Sequence, residues 1–107
     1  MFIKEGEYVI KSYSEILYEN LISRLNDNKI DIFELVYEFD VLDAIECNND
    51  PYDLVKWREL VGTVYAKALL EQLESGKVTY SNLYKAVIIP GSILSEYLPP
   101  FDLSKCD

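Results

Sequence analysis

Residues Asp31 to Asp53 read DIFELVYEFDVLDAIECNNDPYD. The stretch carries eight carboxylates, at Asp31, Glu34, Glu38, Asp40, Asp43, Glu46, Asp50 and Asp53, and no Lys, Arg or His. Its apolar residues have helical spacing. With Leu35 placed at 0° and each residue advancing by about 100°, Ile32, Leu35, Phe39 and Leu42 fall within about 80° of one another. Phe33, Tyr37, Val41 and Ala44 fall within a second sector of about 80° on the opposite side. Asp31, Glu34 and Glu38 fill one gap between the stripes, and Asp40 and Asp43 fill the other. The periodicity predicts a helix over 31–47, broken by Asn48-Asn49-Asp50.

A surface helix normally has one apolar stripe. Two stripes on a helix admit two arrangements, with a strand-containing structure as the remaining alternative. In the first, the helix is sandwiched between neighbours and its acids protrude at the edges. In the second, Phe33, Tyr37 and Val41 form a strip that faces a partner, flanked by carboxylates. The acids repel weakly: Glu34/Glu38, Asp40/Asp43 and Asp43/Glu46 are neighbours on the helix, each unfavourable by about 0.2–0.5 kcal/mol. On a solvated face that is tolerable, and many charge runs do no more than solvate a surface. An acidic row without counter-charge also makes a negative field that steers a basic partner, and its spacing resembles a row of DNA phosphates. The candidate partner-binding residues are therefore Phe33, Glu34, Tyr37, Glu38, Asp40, Val41, Asp43 and Glu46.

The flanking sequence adds further helices. Upstream, Ser12 and Glu15 fit a capping box. Leu17, Leu21 and Leu25 then share a face with Ile22 beside them, and Asn26-Asp27-Asn28 supplies turn chemistry. Downstream, Asp50 as N-cap, Pro51 at the first helical position and Asp53 in the first turn predict a helix start, with Gly76 just past its end. Leu54, Trp57, Val61, Val64 and Ala68 follow 3-4 spacing, widened by Tyr65, Leu69 and Leu73. A fourth helix is capped by Thr79 or Ser81 and stopped by Pro90 and Gly91; a short fifth spans 92–98 and ends at Pro99-Pro100. Glu7 to Ile10 is compatible with a short strand. The expected fold is all-α: a compact single domain over 1–107, built as a bundle of four main helices plus a short C-terminal helix, with the tail 99–107 loose.

At 107 residues the chain is the size of one domain, and with half its residues hydrophobic it can bury a core. The net charge is −9. The acidic stretch holds eight of the 19 acids, leaving 11 against 10 bases elsewhere. A near-neutral domain with one acidic element lacks the basic footprint needed to bind nucleic acid directly or an anionic membrane surface. The start MFIKEGEYVI has no apolar core of a signal peptide, and the apolar run Ala86 to Ile89 is too short to span a bilayer. Cys47 and Cys106 are expected as free thiols of a cytoplasmic protein.

Catalytic motifs are sparse. The absence of histidine excludes Ser-His-Asp and Cys-His systems, histidine–metal sites and the di-iron Glu-x-x-His pattern. The four glycines are scattered and form no phosphate loop, and NNDPYD (48–53) lacks the glycine and final glutamate of an EF-hand. Asp31/Glu34 and Asp50/Asp53 have the i, i+3 spacing with which all-α nucleotide pyrophosphatases hold Mg²⁺ on facing helices, yet no basic cluster stands beside either pair to grip phosphate. Glu46 beside Cys47 would raise rather than lower that thiol's pKa.

No motif aligns the chain with a family. In general character (small, acidic, helical and tyrosine-rich) it resembles the inhibitor proteins that phages and mobile elements make against host nucleases, some of which resemble DNA in charge. That similarity is one of composition and transfers no residue. It implies a non-enzymatic protein, without cofactor or metal, that inhibits a basic, nucleic-acid-handling partner, as anti-CRISPR, antirestriction and nuclease-inhibitor proteins do. The alternatives are an immunity or antitoxin-type partner of a basic toxin, a Mg²⁺-dependent pyrophosphatase, and a subunit whose second stripe is buried in a homodimer.

Overall fold

Three of the four helices begin where a short polar side chain accepts one of the first free backbone N–H groups. In the computed structural model, which describes residues 12–105, Ser12 caps α1 (Tyr13–Asn26) through a reciprocal capping box with Glu15. Asp27 closes α1, and Asn28 takes the turn at φ 59°. Asp31 caps α2 (Ile32–Asn49) in the same way: its carboxylate accepts from Glu34 N at 2.8 Å, and Glu34 accepts from Asp31 N at 3.0 Å. Thr79 caps α4 (Tyr80–Val87) by accepting from Asn82 N at 3.1 Å. The strand compatible with Glu7 to Ile10, and Cys106, lie outside the described residues.

The third helix departs from expectation at its start. Asp50 is the C-cap of α2, with its N–H bonded to Glu46 O at 2.8 Å, so it does not also open the next helix. Its carboxylate instead accepts from Asp53 N at 3.3 Å and closes a turn over Pro51 and Tyr52. Helix α3 then begins at Leu54 with Asp53 at the cap position. It runs through Leu54–Trp57, a wide π turn at Arg58–Gly62 and Thr63–Glu74, and ends before Gly76 at φ 82°. The π turn is invisible in the 3-4 spacing. The expected fifth helix is a 3-10 turn, Ile93–Tyr97, with Ser92 as its cap. Beyond Pro99-Pro100, Phe101 packs its ring against Tyr80 and Tyr84, and Tyr80 Oη accepts from Asp102 N at 2.6 Å. A second 3-10 turn, Leu103–Lys105, follows.

The result is an all-α single-domain bundle of four helices with short 3-10 turns and, among the described residues, no strand. Helix α3 is its axis. Leu21 and Leu25 of α1, Leu35, Val36 and Phe39 of α2, and Leu83, Ala86 and Val87 of α4 join Val61, Tyr65, Ala68 and Leu69 of α3 in one buried cluster. Phe39 anchors α2: its ring stacks on Trp57 at 5.4 Å and lies 5.2 Å from Tyr65. Aromatic pairs of this kind contribute about 0.5–1.5 kcal/mol beyond their area. No helix among the described residues is long and apolar enough to cross a membrane.

The π turn brings Gly62 under the Tyr97 ring. A Cβ at Gly62 would stand 3.0 Å from Tyr97 Cδ2 and Cε2. An alanine in a helix interior ordinarily stabilises by about 0.8–1.0 kcal/mol over glycine, whereas overpacking costs about 1–3 kcal/mol. We expect the second effect to prevail, so that Gly62→Ala lowers the unfolding free energy by about 1 kcal/mol in urea titration. A gain would mean that the Tyr97 ring swings aside freely.

Candidate functional site

Two of the acids of α2 have counter-charges, supplied from other helices. Arg24, in the last turn of α1, grips Glu38 with two nitrogens at 3.1 and 2.7 Å. The same carboxylate accepts from Tyr65 Oη of α3 at 2.7 Å. Arg58, in the π turn of α3, grips Asp43 at 2.6 and 3.0 Å. These are the only two arginines in the chain, and both make the two-pronged contact that a planar guanidinium forms with a carboxylate. Asp40 accepts from Ser92 Oγ at 2.9 Å and from the Ile93 backbone, which ties α2 to the 3-10 turn. Ser92 is itself buried and also accepts from Leu94 N.

The predicted site residues therefore divide. Glu38, Asp40 and Asp43 have intramolecular partners that hold α2 to its neighbours. Glu34 is exposed and shares the capping box. Glu46 is half-buried and makes no ion pair or side-chain hydrogen bond among the described residues. The apolar three stay together in solvent: Phe33 is 46% exposed, Tyr37 70% and Val41 39%. Among the described residues no helix covers Tyr37, Val41 and Ile45, as the sandwich arrangement would require, while Phe33 is half-covered beside Leu25 and Asn82. Ile45, 49% exposed, extends the strip by one more i+4 step and belongs to it, although the angular sectors above omitted it. Leu42, expected in the core, is 37% exposed, and Val36 is buried in its stead. The buried arc is thus rotated by roughly 30° from the expected stripe, toward the side where Asp40 and Asp43 meet Ser92 and Arg58.

With Ile30, just before the helix, Phe33, Tyr37 and Val41 of the strip border a shallow groove of about 550 Å³ that also touches Glu34, Glu38 and Leu42. Glu38 presents its aliphatic stem there while its charged end is turned to Arg24 and Tyr65.

The two i, i+3 acid pairs do not face one another. Asp31 and Asp50 cap opposite ends of α2, which places them about 28 Å apart at 1.5 Å per residue. One metal ion cannot bridge them, and Asp31 and Glu34 are engaged in capping. Among the described residues no group of three or more His, Cys, Asp or Glu is arranged to hold a metal ion. Cys47 is a free, exposed thiol. In comparisons with known proteins, no family, curated protein or solved structure matches the chain.

Ionisation separates the two inner carboxylates. The hydrogen bonds from Arg24, opposed by burial and helped by Tyr65, hold Glu38 below the ordinary value of 4.5. Burial pushes Asp40 above the ordinary 3.8, against the bonds from Ser92 and Ile93. Burial, then the Glu38 contact, pushes the Tyr65 phenol well above its usual range. A depressed carboxylate contributes stability that is present above its unfolded value and is lost as pH falls through its folded value. Glu38→Gln should therefore lower the unfolding free energy by about 1.5–3 kcal/mol near neutral pH, as loss of a hydrogen bond to a charged group does. The gap to wild type should close as the pH drops below 4.5. Asp40 has the opposite sign: Asp40→Asn should match or exceed wild type near neutral pH, and its advantage should vanish once Asp40 is protonated in acid. Urea titrations across that range check both; parallel curves for Glu38→Gln and wild type would contradict the Arg24–Glu38 account.

Proposed function

We propose that this chain is a non-enzymatic binding protein that acts in the cytoplasm and inhibits a basic, nucleic-acid-handling protein by docking the outer face of α2 against it. The observation that carries the reading is the exposed strip Phe33–Tyr37–Val41–Ile45 on a helix with no basic residue of its own. Contiguous exposed aromatic and branched residues are the composition of an interface centre, where a few such anchors supply most of the binding energy. The charge supports the choice of partner. With Glu38 and Asp43 paired to arginines and Asp40 held by Ser92, five acids of the segment remain outside any ion pair or interhelical hydrogen bond among the described residues. Asp31 and Glu34 lie at one end of the strip, and Glu46, Asp50 and Asp53 at the other. This arrangement favours an apolar strip with acidic ends over a continuous row of phosphate-like charges. The resemblance in character to phage and mobile-element inhibitors of nucleases, anti-CRISPR and antirestriction proteins among them, points the same way.

The test is retention of a partner from host extract at low salt by the wild-type protein and by strip variants. Phe33→Ala and Tyr37→Ala should each leave unfolding within about 0.5 kcal/mol of wild type, as exposed positions do. Each should weaken partner binding by about 2 kcal/mol or more through faster dissociation. Glu34→Lys should slow association instead and flatten its salt dependence. The retained protein should be basic and should lose its nucleic-acid activity on binding. Unchanged retention by both alanine variants would refute docking through this face.

A further inference from the structure

Two parallel rows of side chains form the outer face of α2. One is Phe33, Tyr37, Val41 and Ile45; the other is Ile30, Glu34, Glu38 and Leu42. Both step by four residues, and the groove of about 550 Å³ lies between them. Ridges four residues apart are the features that interlock when two helices pack, with the axes crossing near −50°. Because the Glu38 carboxylate is drawn down to Arg24 at 2.7 Å and Tyr65 at 2.7 Å, only its methylenes meet the groove. The middle of the groove is consequently apolar, and the unpaired charge stands at its ends.

We infer, on the basis of the docking function proposed above, that the occupant of this groove is an amphipathic basic helix of the partner, about three to four turns long. From Phe33 to Ile45 the strip measures roughly 18 Å, the length of about 12 helical residues. The apolar ridge of such a helix seats between the two rows. Its Lys or Arg residues reach Asp31 and Glu34 at one end and Glu46 at the other. An extended strand has no template here, because the described backbone contains no sheet edge to extend. A second copy of the chain is disfavoured by charge. Residues 31–53 contain no base, so parallel pairing would set Asp31 and Glu34 against themselves, and antiparallel pairing would set them against Glu46.

The probe is a synthetic amidated peptide of about 14 residues, the span of a three-to-four-turn helix, made of Leu, Lys and Ala with the leucines on one helical face. Its controls are a scrambled peptide of the same composition and a version with every Lys replaced by Glu. Each is titrated into the full-length ¹⁵N-labelled protein. The patterned basic peptide should gain helicity by circular dichroism, should shift amides of residues 30–45, and should bind at least tenfold more tightly than either control. Tyr37→Glu and Ile45→Glu, each folded by the same spectrum, should weaken it at least tenfold. Equal binding by the scrambled peptide would overturn the inference, since charge alone would then suffice. Equal binding by the Glu version would do the same. Sedimentation of the free protein as a dimer that Tyr37→Glu dissociates would assign the groove to a second copy. A captured partner that needs Tyr37 but docks through a non-helical segment would refute the helix while leaving the docking face intact. A partner that shifts only residues outside α2 would refute both.

Discussion

Two arginines from neighbouring helices settle which way α2 faces. A helix with apolar residues on both sides can bury either one at similar gain, since burial is roughly proportional to apolar area and is indifferent to direction. Charge breaks that near-symmetry. Turning the Leu35–Phe39 side inward brings Glu38 to Arg24 and Tyr65, Asp43 to Arg58, and Asp40 to Ser92. Turning the Tyr37 side inward would part these carboxylates from their donors. A partly buried ion pair adds little net stability, yet loss of one partner is expensive. Such pairs therefore act as selectors of orientation. In this chain the selection has a consequence: the unselected stripe stays in solvent.

The same contacts redistribute the charge of the helix. Read along the chain, α2 is a row of acids without counter-charge. In space two acids of its middle, Glu38 and Asp43, are paired with arginines 14 and 15 residues away in sequence, Asp40 is held by Ser92, and its ends are left negative. An exposed strip with a neutral centre and acidic ends differs from a uniformly negative surface. Anchoring falls to the apolar centre, where desolvation is cheap, and steering falls to the ends, where charge acts at a distance. The capping carboxylates Asp31 and Glu34 serve both ends of this division, because they satisfy backbone donors while keeping their charge at the surface.

Most local signals were legible in sequence. The capping box at Ser12, the turn at Asn28, the stop at Gly76 and the Thr79 cap are short-range chemistry and lie where the residues indicate. The second capping box, Asp31 with Glu34, was equally available but is masked when the two acids are read as a metal-binding pair. The Asp50-Pro51 start of α3 failed because two helices compete for one aspartate. What could not be read was long-range. Nothing within 31–53 shows that Arg24 and Arg58 close on Glu38 and Asp43, although the chain's only two arginines were a clue, since arginine suits two-pronged carboxylate contacts. The rotation that buries Val36 and exposes Leu42 accompanies those contacts. The π turn in α3 follows from no spacing rule; it sets Gly62 against the Tyr97 ring.

The central claim is that α2 presents its Phe33–Ile45 row to solvent and its Leu35–Phe39 row to the core. Solvent paramagnetic relaxation tests it most directly, with a neutral gadolinium chelate added to the isotopically labelled full-length protein at several protein concentrations. Side-chain protons of Phe33, Tyr37, Val41 and Ile45 should relax rapidly, Tyr37 most of all, while those of Leu35, Phe39 and Leu69 should be nearly unaffected at every concentration. Relaxation of Tyr37 as slow as that of Phe39 would contradict the account, because the stripe taken as a docking face would then be core.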